Sequence, residues 1–543
     1  MKRRKFIQIS STGSLAGFML NGHLVNAFTR TKLLNNVSDE VIRDRSIVMI
    51  QLSGGNDGLN TVIPKNQYDK YASIRPTIRI KDSGSNAGIE LDTTLGVNEQ
   101  TLLHPNLQSF KTLWDNGKLN IVHGVGYPQL NKSHFSGRAL MSKGGDGTDE
   151  NSNKPDGWMA RYLHSAFDHS MYDDPLGIQL GNKKPADEFH SDEEHKIDIN
   201  LSGQDAAGFY SQLSNIGNPL ADYGDVSSEY IDNINFINGM EMAATNYAQR
   251  ISTVFNAGSN AVTYPQFNLA DQLKTVARMI SGGSKTKIFL LRIDGFDNHA
   301  NQVDSQSNSH LGKHADLLTE LSDSIKAFQD DLEQLGIDEN VVTTTFTEFG
   351  RKPIENGNKG TDHGNLGPMF VIGKGVQPGI TGTHLSLENF TYGGNIKHFD
   401  LETQMQHDYR QVYAAIIGDF LGASTSTIID TQFDAYDIER LDLISNPILS
   451  TQHEKAPKTI SINIVPNPVY NDTLIEFKST EWMRGSLKIY DLQGRIVTQL
   501  QKDFSSGINR IPLNLSHFSN GVYILKVLSD RNITIGTSKL IKQ

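Results

Sequence analysis

Short apolar runs separated by long amphipathic stretches constrain this chain more than any other feature. Ser46–Leu52 (SIVMIQL), Leu119–Val122, Lys287–Ile293 (KIFLLRI), Val341–Phe346 and Met369–Ile372 each read as a strand buried on both faces. Between some of them, apolar residues recur at helical spacing. Leu269, Leu273, Val276 and Ile280 precede the Lys287 run. Leu311, Leu318, Leu321, Ile325, Phe328, Leu332 and Leu335 precede the Val341 run, and Val412, Ile416, Phe420 and Leu421 follow the last strand. Strand, helix, strand with long crossovers predicts an α/β domain, a mostly parallel sheet flanked by helices.

The pattern breaks at both ends. Residues 1–27 read as an export signal: basic Met1–Arg4, apolar Ile7–Leu20, then small Val25, Asn26 and Ala27 for a signal peptidase. Its apolar part is shorter than the ~20 residues a bilayer span needs, and no other segment qualifies, so no transmembrane span is expected. Residues 28–444 form the α/β domain. Residues 445–458 are a mostly polar linker holding Pro447 and Pro457. From 459 to 543, six short strands punctuated by turn residues predict a small all-β sandwich. Within the large domain, Lys143–Pro155 reads as a mobile polar loop and Asp187–His195 as a solvated acidic and histidine-rich excursion.

Composition narrows the chemistry. The net charge of −11, with no Lys/Arg run after Lys5, argues against a nucleic-acid partner. Cys is 0, which removes disulfides, thiolate nucleophiles and cysteine metal sites. The 17 His and 61 Asp+Glu leave imidazole and carboxylate as metal ligands.

Four clusters carry such groups, three of them directly after a predicted strand, where parallel α/β sheets place ligands. Gly54–Thr61 (GGNDGLNT) offers Asp57 to a cation, or is a plain Asn-Asp-Gly turn. Asp294–His299 offers Asp294, Asp297 and His299, a set that suits zinc, manganese or magnesium; a capped loop is the other reading. Thr347–Arg351 offers Glu348 as a ligand and Arg351 as an oxyanion clamp, or a structural Glu–Arg pair. Gly360–Gly364 places Asp362 and His363 between glycines in the loop before the last strand, two ligands of different reach; a well-satisfied loop histidine is the other reading. Ser133, beside His134, is either an activated nucleophile or a helix N-cap.

Lys2–Ile7 (KRRKFI) resembles a twin-arginine signal, with a general secretory signal as the alternative. The tail resembles the sorting domain of the type IX secretion system in Bacteroidetes. Its carriers are Val465–Pro468 (VPNP), Leu487–Asp491 with Gly494, Gly521–Leu525 and Lys539–Lys542. That resemblance implies the type IX machinery as partner. It also implies a location outside the cell or on its outer surface, reached through the periplasm.

Over roughly Ser46 to Gly422 the chain resembles the DUF1501 family. The resemblance rests on Gly54–Pro64, Ser133–Phe135, Gly295–Asp297 with His299, Thr347–Arg351, Gly360–Gly364 and Asp408–Tyr413. That family looks like a distant relative of the alkaline phosphatase and sulfatase superfamily. The kinship implies a two-metal, alkaline phosphatase-like hydrolase of phosphate or sulfate esters, acting on a small-molecule or glycan ester. The departures are specific. Ser53, not an aspartate, ends the first strand, and Glu348-Phe349 stands where that superfamily carries Asp-His. The residues therefore leave open a one-metal or metal-free protein. The competing reading is a non-catalytic cell-surface glycan- or polymer-binding protein built on a degenerate hydrolase fold.

Overall fold

The computed structural model describes residues 44–130, 132–147, 156–167, 173–181, 186–190, 249–395, 401–433, 440–445, 462–479, 483–490, 496–529 and 534–543. It adds the strand backbones 18–20, 23–29 and 197–200. Two compact units divide the chain, residues 1–450 and 451–543.

In the first unit every expected apolar run is a strand. An 11-stranded sheet has at its centre Gly177–Leu180, Ile288–Asp294, Ser46–Ser53, Val341–Phe346, Gly367–Ile372 and Leu119–Gly126, in that order. The first four pair parallel, each sealed by a crossover. Both faces are covered, as the two-sided apolar runs require. Val48, Ile50 and Leu52 pack on one side with the Asn268–Ser281 and Lys313–Gln334 helices. Ile47 and Met49 pack on the other with Trp158, Tyr413 and Phe420. The long helix begins at Lys313, so Leu311 falls outside it and is exposed.

One of the six central strands runs against the other five. Gly367–Ile372 pairs antiparallel with both Val341–Phe346 and Leu119–Gly126. Residues 347–366 hold no helix, so there is no crossover to carry the chain back to the sheet's opposite end. The segment therefore stays at the C-terminal edge, where its polar residues meet the loops after Ser53 and Asp294.

Four expectations fall partly outside the described residues. Of the export signal, residues 1–17 lie outside the described residues, while Phe18–Leu20 and His23–Thr29 pair antiparallel at the sheet edge. Residues 148–155 of the polar loop and 446–458 of the linker also lie outside. The acidic excursion differs from expectation at its start, because Glu188 and Phe189 are buried. Phe189 lies against Gly177, and the His190 carbonyl accepts the Gly157 N–H at 2.7 Å.

The second unit is all antiparallel. Ile462–Val465, Asp472–Ser479 and Gly507–Asn514 form one sheet; Ile496–Phe504, Met483–Tyr490, Gly521–Ser529 and Thr534–Lys542 form another. Alternation fixes the inward face: Thr473, Ile475, Phe477 and Ser479 are buried along one strand. The described strands number seven rather than six. Thr534–Lys542 (TIGTSKLIK) is too rich in small polar residues to announce itself, and pairing with Gly521–Ser529 supplies what its pattern lacks.

Candidate metal centre

Three loops and one helix meet at the C-terminal edge of the sheet. Gly54, with φ 120°, makes the approach possible, since a Cβ there would lie 2.3 Å from the Asp297 nitrogen. Gly364 does the same within the Thr347–Leu366 segment, where a Cβ would lie 2.4 Å from the Arg351 carbonyl carbon. The glycines that flank the candidate ligands thus admit backbone against backbone.

Asp297 Oδ1 is the centre of convergence. His299 Nε2 lies 3.2 Å from it, His134 Nε2 3.4 Å and His363 Nε2 3.5 Å. The donor atoms of His134, Asp297 and His363 all lie within 4.8 Å of one another. Among the described residues this is the one such group of three or more. Arg351 Nη2 donates to the same Asp297 oxygen at 2.7 Å. Burial raises the Asp297 carboxyl's affinity for a proton, but Arg351, His134 and His299 together hold its pKa below the ordinary carboxylate value.

Each imidazole is anchored through its other nitrogen. His134 Nδ1–H donates to Glu348 Oε1 at 2.9 Å, and His363 Nδ1–H donates to the Lys132 carbonyl at 2.8 Å. His299 Nδ1 lies 3.5 Å from Asp362 Oδ1. Glu348, fully buried, also accepts the Gly54 N–H at 3.0 Å. Asp362 is held by Asn356 Nδ2 at 3.1 Å and by Lys352 Nζ at 3.4 Å.

This anchoring fixes the tautomers. An Nδ1–H committed to an acceptor turns the Nε2 atoms of His134 and His363 toward Asp297. His134 Nε2 is buried and has no hydrogen-bond partner. Burial pushes the His363 pKa down, and Arg351, His134 and His299 push it the same way against the Lys132 hydrogen bond, a net shift that favours the neutral ring. His299 Nε2 and His363 Nε2 stand 2.8 Å apart, a separation that needs a proton between them. Imidazole nitrogens and a carboxylate turned toward one another are a donor set able to hold a cation.

The positions of the sequence-selected residues follow. Asp297, His299, Glu348, Arg351, Asp362 and His363 come together. Asp57 and Asp294 do not join them. Asp57 is buried in an ion pair with Arg75 Nη1 at 2.6 Å and accepts Gln302 Nε2 at 2.6 Å. Burial raises its pKa, but Arg75, His314 and Gln302 overcome this and hold it below the ordinary value. Arg75 also donates to the Pro353 and Lys352 carbonyls, so this pair ties the Gly54–Thr61 turn to the Thr347–Leu366 loop. Asp294 is largely exposed and pairs with Arg292 at 2.6 Å.

Arg351 is buried, and its guanidinium donates to the Gly54, Gly55, Phe296 and Thr361 carbonyls as well as to Asp297. It rivets three loops together. Ser133 Oγ accepts the Ser136 N–H at 3.4 Å and caps the His134–Lys143 helix. His134 is the contributor that spacing does not single out. It opens that helix, and its only sequence signal is its place in the Ser133–Phe135 block.

Residues 270–424 match the family model described as Protein of unknown function (DUF1501). The match holds Asp297, His299, Glu348, Arg351, Asp362 and His363. The Gly54–Pro64 and Ser133–Phe135 blocks lie outside it. Residues 463–543 match the Secretion system C-terminal sorting domain, the type IX tail that marks a chain for secretion to the cell surface or beyond. No curated protein matches the chain.

Solved structures similar to the chain include a Bacteroides thetaiotaomicron protein titled for the metabolism of multiple glycosaminoglycans. It has 8% identity, covering 92% of this chain and 89% of that one, with TM-score 0.31. A Pseudoalteromonas sulfatase has 11% identity, 88% and 85% coverage, and TM-score 0.30. A Vibrio parahaemolyticus protein in the alkaline phosphatase superfamily has 7% identity, 93% and 92% coverage, and TM-score 0.25. Among the described residues, no helix is long and apolar enough to cross a membrane.

Proposed function

We propose that the chain is a secreted, divalent-metal-dependent hydrolase of phosphate or sulfate esters. The observation that carries this reading is the convergence of three imidazole Nε2 atoms on Asp297 Oδ1 at 3.2, 3.4 and 3.5 Å. Zinc bonds of about 2.0–2.1 Å at tetrahedral angles separate their donors by about 3.3–3.4 Å. The distances from Asp297 Oδ1 match that spacing, and His299 Nε2 and His363 Nε2, 2.8 Å apart, would have to separate for both to bind one ion. His134, His299, His363 and Asp297 would hold it. Bound there, the ion would polarise an ester oxygen and acidify water.

The chain's own residues supply the rest. Glu348, Asp362 and the Lys132 carbonyl orient the imidazoles through their Nδ1 atoms, an arrangement that fixes ring angle and raises ligand basicity. These two carboxylates are positioning residues rather than ligands in this reading. Arg351 holds Asp297 and the loops that carry it, in place of clamping an oxyanion. Ser133 serves as helix cap, and water is the nucleophile.

The test is turnover of an aryl phosphate and an aryl sulfate by purified full-length protein, with metal content measured alongside. Turnover that a chelator abolishes and zinc or manganese restores supports the reading. Metal-free folded protein without turnover in added zinc or manganese contradicts it.

A further inference from the structure

At the end of the strand that leads into Gly54, two guanidinium groups converge on one hydroxyl. Ser53 ends the Ser46–Ser53 strand, and its Oγ accepts Arg292 Nη2 at 2.8 Å and Arg138 Nη1 at 3.4 Å. Arg138 lies one helical turn after His134 and donates its Nε–H to the His134 carbonyl at 3.2 Å. Ser53 precedes Gly54, which packs against Asp297. The pair is therefore tied to the helix that His134 opens and to the strand that leads into Gly54.

The charges do not balance locally. Arg292 pairs with Asp294, whose side chain is 73% exposed and so strongly screened. Among the described residues Arg138 forms no ion pair. Glu188 is buried near both arginines, and burial pushes its carboxyl up to about 7, so it offsets them only in part. The ring of Phe135, 82% exposed, lies 5.6 Å from the Arg138 guanidinium carbon and braces its face. With Nε and Nη1 engaged, the Nη2 donors are left for another acceptor. Planar forks of N–H donors are matched to tetrahedral oxyanions.

We propose that Arg138, Arg292 and Ser53 form an oxyanion subsite that receives the sulfate or phosphate group of the substrate ester beside the metal cluster. This assignment deepens the hydrolase reading, yet anion binding is measurable without turnover.

The experiment uses full-length protein stripped of metal by a chelator. Inorganic sulfate and inorganic phosphate are titrated separately by calorimetry at constant ionic strength, with chloride as the balancing salt. Wild type is expected to bind at least one of the two above chloride. Arg138→Gln and Arg292→Gln are each expected to weaken that binding by about 10-fold or more, the loss of one charge-assisted contact. Zinc affinity of the same variants stays within about 3-fold of wild type, about 0.7 kcal/mol. Should Arg138→Gln not fold, Arg138→Lys keeps the charge, loses the fork and still weakens the anion. A wild type that prefers neither anion to chloride overturns the proposal, as do variants that bind like wild type. If anion binding behaves as expected while zinc does not bind, the subsite stands and the hydrolase reading falls.

Discussion

Replacing Arg75 with methionine tests whether Asp57 is part of the scaffold. The Arg75 side chain is 0% exposed and Asp57 2%, and their 2.6 Å contact is a fully buried ion pair. Arg75 also donates to Asn60 Oδ1 at 2.7 Å, the Pro353 carbonyl at 2.7 Å and the Lys352 carbonyl at 3.0 Å. Deleting one partner of such a pair leaves an uncompensated buried charge, at a cost of about 3–5 kcal/mol. Arg75→Met should therefore destabilise the 1–450 unit by about that amount at pH 7.

The pH dependence gives a second handle. In the wild type the Asp57 pKa is depressed by folding. Its contribution to stability is present above the unfolded pKa and is lost as pH falls through the folded one. Without Arg75, burial dominates and the folded pKa rises above the unfolded value. The penalty is then present at neutral pH and is relieved as pH falls. Urea unfolding of the full-length chain, followed at the buried Trp158, measures both effects. The double variant Arg75→Met with Asp57→Asn removes both charges. It should be more stable than Arg75→Met alone by about 1 kcal/mol or more. A loss under about 1 kcal/mol in the single variant would refute the reasoning, as would strict additivity in the double.

Two further outcomes separate positioning from chemistry. Glu348→Gln keeps an acceptor for the Gly54 N–H but weakens the hold on His134 Nδ1. It should reduce zinc affinity by about 10–100-fold without unfolding the protein, read by calorimetry and circular dichroism. Ser133→Ala should cost about 0.5–2 kcal/mol through the lost helix cap, with turnover within a few-fold of wild type. A thousand-fold loss of turnover would instead make Ser133 the nucleophile.

The sheet was legible because strands buried on both faces must be continuously apolar, and Ser46–Ser53 and Ile288–Asp294 satisfy that rule locally. The ligand-bearing loops follow such strands, so Asp297 and Glu348 could be placed at the right edge. Which atom each residue offers was not legible. Asp362 and His363 are sequence neighbours that approach the two different nitrogens of one ring, His299. His363 turns to Asp297, while Asp362 reaches His299 Nδ1. Asp57 looks like a ligand until its partner is known, and Arg75 lies eighteen positions on in the chain. His134 belongs to a helix, and only packing against Glu348 and Phe349 reveals it as a fourth contributor.

Calorimetric titration of zinc into chelator-stripped full-length protein tests the central claim most directly. About one ion per chain should bind, with the affinity lost in His134→Ala and in His363→Ala and retained in Asp294→Asn. Absence of zinc binding, or binding that survives both histidine substitutions, would contradict it.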